Sequence, residues 1–188
     1  MKKQTRKVTF GGASSLDSYF ARKDDAVDWL MPSAEAMKLM KAYWETVDTI
    51  VMGRKTYEVG LKMTKGAKNP FSGFKTYVFS RTLQPKKEES FEIVRDDAVE
   101  FVRRLKEEPG KDICIMGGGN LACSLLNGGV IDEIGFNIHP VLLGEGVPLF
   151  YPMKRQIDLE LLDCQCFKNG CVYVLYRVRP AKQKRARR

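Results

Sequence analysis

Three apolar runs in this 188-residue chain end alike, and that shared ending constrains the fold more than any bulk property does. Ile50-Val51-Met52 stops at Gly53 and continues into Arg54-Lys55-Thr56-Tyr57-Glu58. Val78-Phe79 gives way to Ser80-Arg81-Thr82. Ile113-Cys114-Ile115-Met116 runs into Gly117-Gly118-Gly119-Asn120-Leu121. A short apolar run without alternation reads as a strand buried on both faces. Three such strands, each finishing in glycine, hydroxyl or cation, bring several sheet edges around one polyanionic ligand. A nucleotide cofactor is the expectation.

Length and an apolar content of 44% are those of one domain with a proper core. The net charge of +9 points towards nucleic acid until it is located. Residues 179–188 hold six of the basic residues and no acid, and without them the charge falls to +3. The expected organisation is a domain over 1–178 and a basic disordered tail over 179–188. A tail of this kind binds RNA, acidic lipid or nothing, so nucleic acid is not expected as a partner except through it. Val8-Thr9-Phe10 runs straight into Gly11-Gly12, which does not suit a signal peptide. No apolar stretch approaches membrane-spanning length, and a cytoplasmic protein without a membrane partner is expected. The five cysteines are Cys114, Cys123, Cys164, Cys166 and Cys171. Cys164-Gln165-Cys166 has neither CxxC spacing nor a nearby histidine, so reduced thiols and no metal are expected.

Lys7 to Ala13 reads as a first strand, with Gly11-Gly12 allowing close approach at its end. Ser14 to Met31 reads as a long loop holding an aromatic knot of Tyr19, Phe20 and Trp29, and long loops inside domains are often functional. Ser33 is the expected cap of a helix whose stripe is Met37, Met40, Ala42, Tyr43 and Trp44, taken as core. Further strands are expected at 48–52, 76–79, 91–94, 113–116 and 131–138. Helices are expected at 56–61, 98–107 (capped by Asp96 or Asp97) and 120–127. Residues 63–73 and 140–150 read as loops. Ile157 to Leu162 and Gly170 to Val178 close the domain as a hairpin around Lys168-Asn169-Gly170. The fold class is α/β, a mixed sheet flanked by helices.

A strand-glycine-helix junction turns unpaired backbone N–H groups and a positive dipole end towards an anion. Gly117-Gly118-Gly119 suits this role, because absent side chains let a pyrophosphate reach the backbone. Taken singly, a glycine triplet is a tight turn and a charged turn is solvated surface. Together with Gly53-Arg54-Lys55-Thr56 and Ser80-Arg81-Thr82, whose arginines suit forked phosphate recognition, they favour nucleotide binding.

These segments resemble the dihydrofolate-reductase-like superfamily over residues 7–178. The resemblance is strongest to the branch of the C-terminal reductase domain of the bacterial bifunctional riboflavin-biosynthesis deaminase-reductase. It is carried by Ala13-Ser14-Ser15-Leu16-Asp17, Asp28-Trp29, Met52 to Tyr57, Ser80-Arg81-Thr82, Gly117 to Leu121, Gly129 to Glu133 and Pro140 to Phe150, in that order. It implies a mainly parallel sheet with a closing antiparallel hairpin. It also implies NADPH as cofactor and a reductase resembling 5-amino-6-(5-phosphoribosylamino)uracil reductase. By resemblance Gly53, Arg54, Lys55 and Thr56 lie along the phosphates, with Ser80 and Arg81 near the adenosine 2′-phosphate. Gly117, Gly118, Gly119, Asn120 and Leu121 cradle the pyrophosphate, and Ala13 borders the nicotinamide. Asp17 and Trp29 are the catalytic candidates, with Trp29 and Phe20 as walls around the hydride path.

The chain also departs from its relatives. Ala34 stands where dihydrofolate reductases carry a pterin-binding carboxylate, with Glu35 about 100° further round the helix. Met116 replaces a glutamate common in riboflavin reductases, and Ser18 replaces a glycine. Asp17 and Asp28 read either as polar groups of the site or as loop caps. Glu145 reads as a loop charge or a substrate contact, and His139 as the end of a strand. Two functions follow: an NADPH-dependent reductase of a small heterocyclic or carbonyl substrate, or a nucleotide- or RNA-binding module that keeps the fold without catalysis. The apolar closing hairpin suggests a homodimer, since a long apolar edge strand is otherwise a liability.

Overall fold

The computed structural model describes residues 5–63, 71–84 and 91–180. Along the chain the elements are β1 (Val8–Ser15), β2 (Tyr19–Ala21), α1 (Ala34–Thr46), β3 (Val47–Gly53), α2 (Arg54–Met63), β4 (Lys75–Phe79) and β5 (Glu92–Val94). There follow α3 (Ala98–Glu107), β6 (Asp112–Met116), α4 (Gly119–Asn127), β7 (Glu133–His139), β8 (Val147–Pro148), β9 (Leu159–Cys166) and β10 (Val172–Val178). Eight strands form one sheet in the order β5-β4-β3-β6-β1-β7-β10-β9. The first six run parallel, while β10 is antiparallel to both β7 and β9. This is the expected mixed sheet with its closing hairpin.

The two faces of β1 differ, and the site depends on that difference. Alternate residues of a strand point to opposite faces. Val8 and Phe10 enter the larger core with Ile113, Ile115, Ile134 and Phe136, where α3 and α4 supply Val102, Leu105, Ala122, Leu125 and Leu126. On the other face, a second cluster of Ile50, Met52, Val78 and Cys114 packs with Tyr57 of α2 and Tyr43 and Trp44 of α1. On that face β1 offers Thr9, Gly11 and Ala13 and β7 offers Gly135 before Asn137 and His139, with Gly11 opposite Gly135 and Thr9 opposite Cys114. A methyl group at Gly11 would stand 2.4 Å from the Gly135 carbonyl oxygen, so the two backbones are as close as glycine allows. The sheet floor beneath α1 is therefore bare.

Two expectations are corrected. The stripe Met37, Met40, Ala42, Tyr43 and Trp44 is not core as a whole: α1 contains no fully buried residue, and Met37 and Met40 are 62% and 53% exposed. The helix is capped as expected, Ser33 Oγ accepting from the Ala36 amide at 3.0 Å, but half its apolar face meets open space rather than packed side chains. The stretch 14–31 is not one loop. β1 continues to Ser15, and β2 pairs antiparallel with β8 from inside the 140–150 segment. Leu16 donates to the Val141 carbonyl and Leu149 to the Ser18 carbonyl. This clip joins segments about 125 residues apart, and no local pattern announces such a pairing.

Boundaries elsewhere move by a residue or two, and β9 extends through Cys164 and Cys166, whose side chains are exposed, whereas Cys114, Cys123 and Cys171 are buried. Asp97 caps α3 through the Val99 and Glu100 amides. The Arg179 amide still bonds the Asp158 carbonyl, and residues 181–188, most of the expected tail, lie outside the described residues. No helix among the described residues is long and apolar enough to cross a membrane.

Candidate active site

Parallel pairing puts the ends of β4, β3, β6 and β1 side by side. Gly53 lies opposite Phe79, Met52 opposite Met116, and Gly11 opposite Met116. The three polar strand endings are thus brought to one edge. Gly53 passes directly into α2, and Gly118 is the N-cap of α4 with φ of 65° and no side-chain cap. Gly117 has φ of 58°, and a β-carbon there would stand 2.6 Å from Thr56 Oγ1. The β3–α2 and β6–α4 turns therefore touch, and two helix starts open onto the same place. The first-turn amides of α4, at Gly119, Asn120 and Leu121, offer N–H groups that no helix carbonyl can take.

Around this cradle the Arg54 guanidinium spans from Glu58, 3.7 Å away, to Thr82 Oγ1 at 3.5 Å. Lys55 pairs with Asp25 at 3.0 Å. Ser80 Oγ accepts from the Leu83 and Thr82 amides at 2.9 and 3.3 Å, so it shapes its own turn, and Arg81 is exposed beside it. The arrangement fits a dinucleotide: a left-handed glycine pair, uncapped amides and two arginines on neighbouring strand ends.

Next to the cradle a cavity of about 450 Å³ lies between α1 and the bare sheet floor. Its floor is Thr9, Gly11, Gly12, Ala13, Cys114, Met116 and Gly135, and its roof carries Met37, Met40, Tyr43 and Trp44. Phe167, Tyr173, Asn137 and His139 complete the lining, with Tyr173 opposite Asn137 on the neighbouring strand. Burial pushes the Cys114 thiol up to about 11 and raises Tyr43 well above its usual range. The Tyr43 hydroxyl stands next to Cys114 and Thr9 without completing a hydrogen bond to either.

His139 ends β7 as expected and is buried, which lowers its pKa. The Met31 amide donates to its Nδ1 at 3.1 Å, with Cys171 Sγ 3.4 Å from the same nitrogen. The neutral ring must then carry its proton on Nε2, which lies 3.1 Å from the Asn137 side-chain amide. The Asn137 nitrogen position is the one facing Nε2, and two donors cannot face each other, so we assign the amide with its oxygen at that position. Its NH2 then takes the buried position that has no partner at the cavity wall.

Asp17 and Trp29 do not line the cavity. Asp17 accepts from Ser15 Oγ at 2.6 Å and from the Gly144 and Leu143 amides at 2.7 and 3.1 Å. It is the clasp that holds the 140–150 segment against the end of β1. Trp29 is buried edge-on against His139, with ring centroids 5.3 Å apart. Phe20 packs on Phe10 and Phe136. Asp28 pairs with Arg22, and Glu145 with Lys23. The Ser15 hydroxyl, with the Gly144 and Leu143 amides, holds the Asp17 carboxyl below its ordinary range. A group with a lowered folded-state pKa stabilises above its unfolded value and loses that contribution as pH falls through the folded one. Wild type should therefore shed stability below about pH 4 in a step that Asp17→Asn lacks, read as urea midpoints across that range. Parallel curves for the two proteins would mean that the clasp contributes nothing.

The profile of the family described as the RibD C-terminal domain matches residues 6–173. The chain belongs to this family. The YyaP protein of Bacillus subtilis (strain 168) is 32% identical over 180 residues, 91% of this chain and 94% of YyaP. The crystal structure of a candidate riboflavin biosynthesis protein from Shewanella sp. PV-4 superposes with a TM-score of 0.80 at 26% identity, covering 93% of this chain and 99% of that one. Dihydrofolate reductase from Enterococcus faecalis, complexed with NADP(H), superposes with a TM-score of 0.64 at 16% identity, covering 93% and 97%. At that identity the likeness is one of fold. Sequence reading of this RibD C-terminal domain missed the lining role of α1 and the pair Asn137 and His139. A signal was present: Met31, Met37, Met40 and Met116 all line the cavity, half of the eight methionines in the chain, and methionine suits adaptable binding walls.

Proposed function

We propose that this chain is an NADPH-dependent reductase of the riboflavin-biosynthesis type, acting in the cytoplasm on a small heterocyclic or carbonyl substrate. The observation that carries the reading is the junction of two features at Gly12, Ala13 and Met116. On one side lies the uncapped anion cradle at the ends of β3, β4 and β6, and on the other an apolar cavity roofed by α1. Gly117 to Leu121 would receive the pyrophosphate, Arg54, Lys55 and Thr56 the neighbouring phosphates, and Ser80-Arg81 the 2′-phosphate. Bound NADPH would supply the hydride. The chain's own part is to orient and to dry: the roof of α1 and the aromatic wall exclude water, while Ala13 and Gly12 leave room for a flat ring against β1. His139 is held neutral by burial and by the Met31 amide, and serves to orient Asn137. The reading includes a homodimer through β9, whose edge exposes Leu159 and Leu161. The alternative, a nucleotide- or RNA-binding module that keeps the fold without catalysis, rests on the basic run 179–188 and the missing substrate carboxylates, and residues 181–188 lie outside the described residues.

The test is a thermal-shift titration with NADPH and NADH, with light scattering on the same sample. At a hundredfold excess over Kd, NADPH is expected to raise Tm by about 5–10 °C. Arg54→Ala and Arg81→Ala should each weaken that response, Arg81→Ala more for NADPH than for NADH. No shift with either nucleotide overturns the reductase reading, and a monomeric mass overturns the dimer.

A further inference from the structure

We infer that the cavity beneath α1 selects an uncharged, unphosphorylated planar molecule that presents a hydrogen-bond acceptor to Asn137. The inference rests on the reductase reading for what the cavity is for, but not for what it can bind. Among the described residues, none of the side chains lining the cavity is Lys, Arg, Asp or Glu. Its polar groups are hydroxyls, one carboxamide, one neutral imidazole, the Trp44 indole N–H and a thiol that burial keeps protonated. A phosphate or carboxylate entering such a space gives up its hydration with no cation to meet it, which carries a large penalty.

The nearby cations do not relieve that penalty. Arg22 and Lys23, on the segment leading to the cavity, are paired with Asp28 and Glu145, while Arg54, Lys55 and Arg81 belong to the cradle and stand outside the lining. Lys38, Lys41 and Lys168 neighbour lining residues in sequence, but they are exposed and stand outside the lining. The thin floor of Thr9, Gly11, Ala13 and Gly135 leaves a flat slot against the sheet. Trp44, Tyr173 and Phe167 supply ring faces and edges on which a planar ligand can stack. Two lining residues keep a buried polar atom without a partner, Tyr43 at its hydroxyl and Asn137 at the amide position turned away from His139. Buried polar groups are normally satisfied. The ligand chemistry that satisfies these two is a ring bearing a carbonyl for the Asn137 NH2 and a second polar atom for the Tyr43 hydroxyl.

The test compares three probes by calorimetry on the full chain without cofactor: 2-acetylnaphthalene, its 6-carboxylate (the same ring and ketone with one anion), and uridine 5′-monophosphate. The neutral ketone is expected to bind at least about 30-fold more tightly than either anion. Asn137→Ala should weaken the ketone by about 10-fold, since the variant removes the donor its carbonyl meets. Met40→Lys places a cation at a half-exposed position of the roof, where the fold tolerates it. It should bring the carboxylate to within about threefold of the ketone. Anion binding equal to or tighter than that of the ketone in wild type overturns the inference, as does failure of the ketone to bind up to its solubility. An NADPH titration of the same sample judges the reductase reading separately: a clear NADPH shift with no preference for the neutral probe defeats only this inference.

Discussion

Phe10→Ala is expected to cost roughly 3–5 kcal/mol of unfolding free energy, the range for deleting a large buried aromatic. Phe10, the third residue of β1, is fully buried. Its ring meets those of Phe136, Phe20 and Phe150 edge-on, at centroid distances of 5.2, 6.0 and 6.0 Å. The substitution removes apolar burial, leaves a void that the surrounding strands cannot close, and breaks three aromatic contacts each worth about 0.5–1.5 kcal/mol beyond area. Domains of this kind have only about 5–15 kcal/mol in total, so the variant should sit near the edge of folding. Phe20 adjoins the β2–β8 clip, so that clip should loosen with it. Met37→Ala is the control. Its side chain is mostly exposed, and the change should stay within about 0.5 kcal/mol. Urea unfolding of both variants checks the pair. Equal losses would restore α1 to the core and undo the account of the cavity.

Gly117→Ala is expected to lower NADPH affinity by about 100-fold, or about 2.8 kcal/mol. Two effects combine at this position. Its φ of 58° is strained for any residue with a β-carbon. The added carbon would also fall 2.6 and 2.7 Å from Thr56 Oγ1 and Cγ2, so the β3–α2 and β6–α4 turns must separate. Separation spreads the two helix starts that together make the anion cradle. Gly118→Ala distinguishes strain from displacement: its φ is similar, but its nearest neighbour would be 3.7 Å away. It should lose about 1–2 kcal/mol of stability from conformation alone and keep most of the affinity. Calorimetric titration of both variants decides the matter. Unchanged affinity in Gly117→Ala would move the dinucleotide site away from this edge.

The strand endings at Gly53, Ser80 and Gly117 were legible because they are local. A run of β-branched and apolar residues followed by glycine and a helical pattern specifies a strand, a turn and a helix within a dozen residues. Parallel strands joined by helices must then present those turns on one edge. The caps at Ser33 and Asp97 and the hairpin at Asn169-Gly170 were legible for the same reason. Asp17 reads from sequence either as a polar group of the site or as a loop cap, and the structure gives it the bonds of a clasp. Its acceptors are filled by Leu143 and Gly144, about 126 residues further along, and no window of sequence contains both partners.

The chain's own pattern determined an α/β body of mainly parallel strands with glycine and arginine turns along one edge. Only tertiary structure decided that α1 roofs a cavity instead of closing a core. Helical periodicity reports which face of α1 is apolar, and it is silent on what that face meets. The answer lay in Thr9, Gly11, Ala13 and Gly135, small residues of two strands brought into register far from α1 in sequence. Their missing volume left Met37 and Met40 without partners, because a rigid sheet cannot sag to fill the space beneath a helix already fixed at its other end by Tyr43 and Trp44.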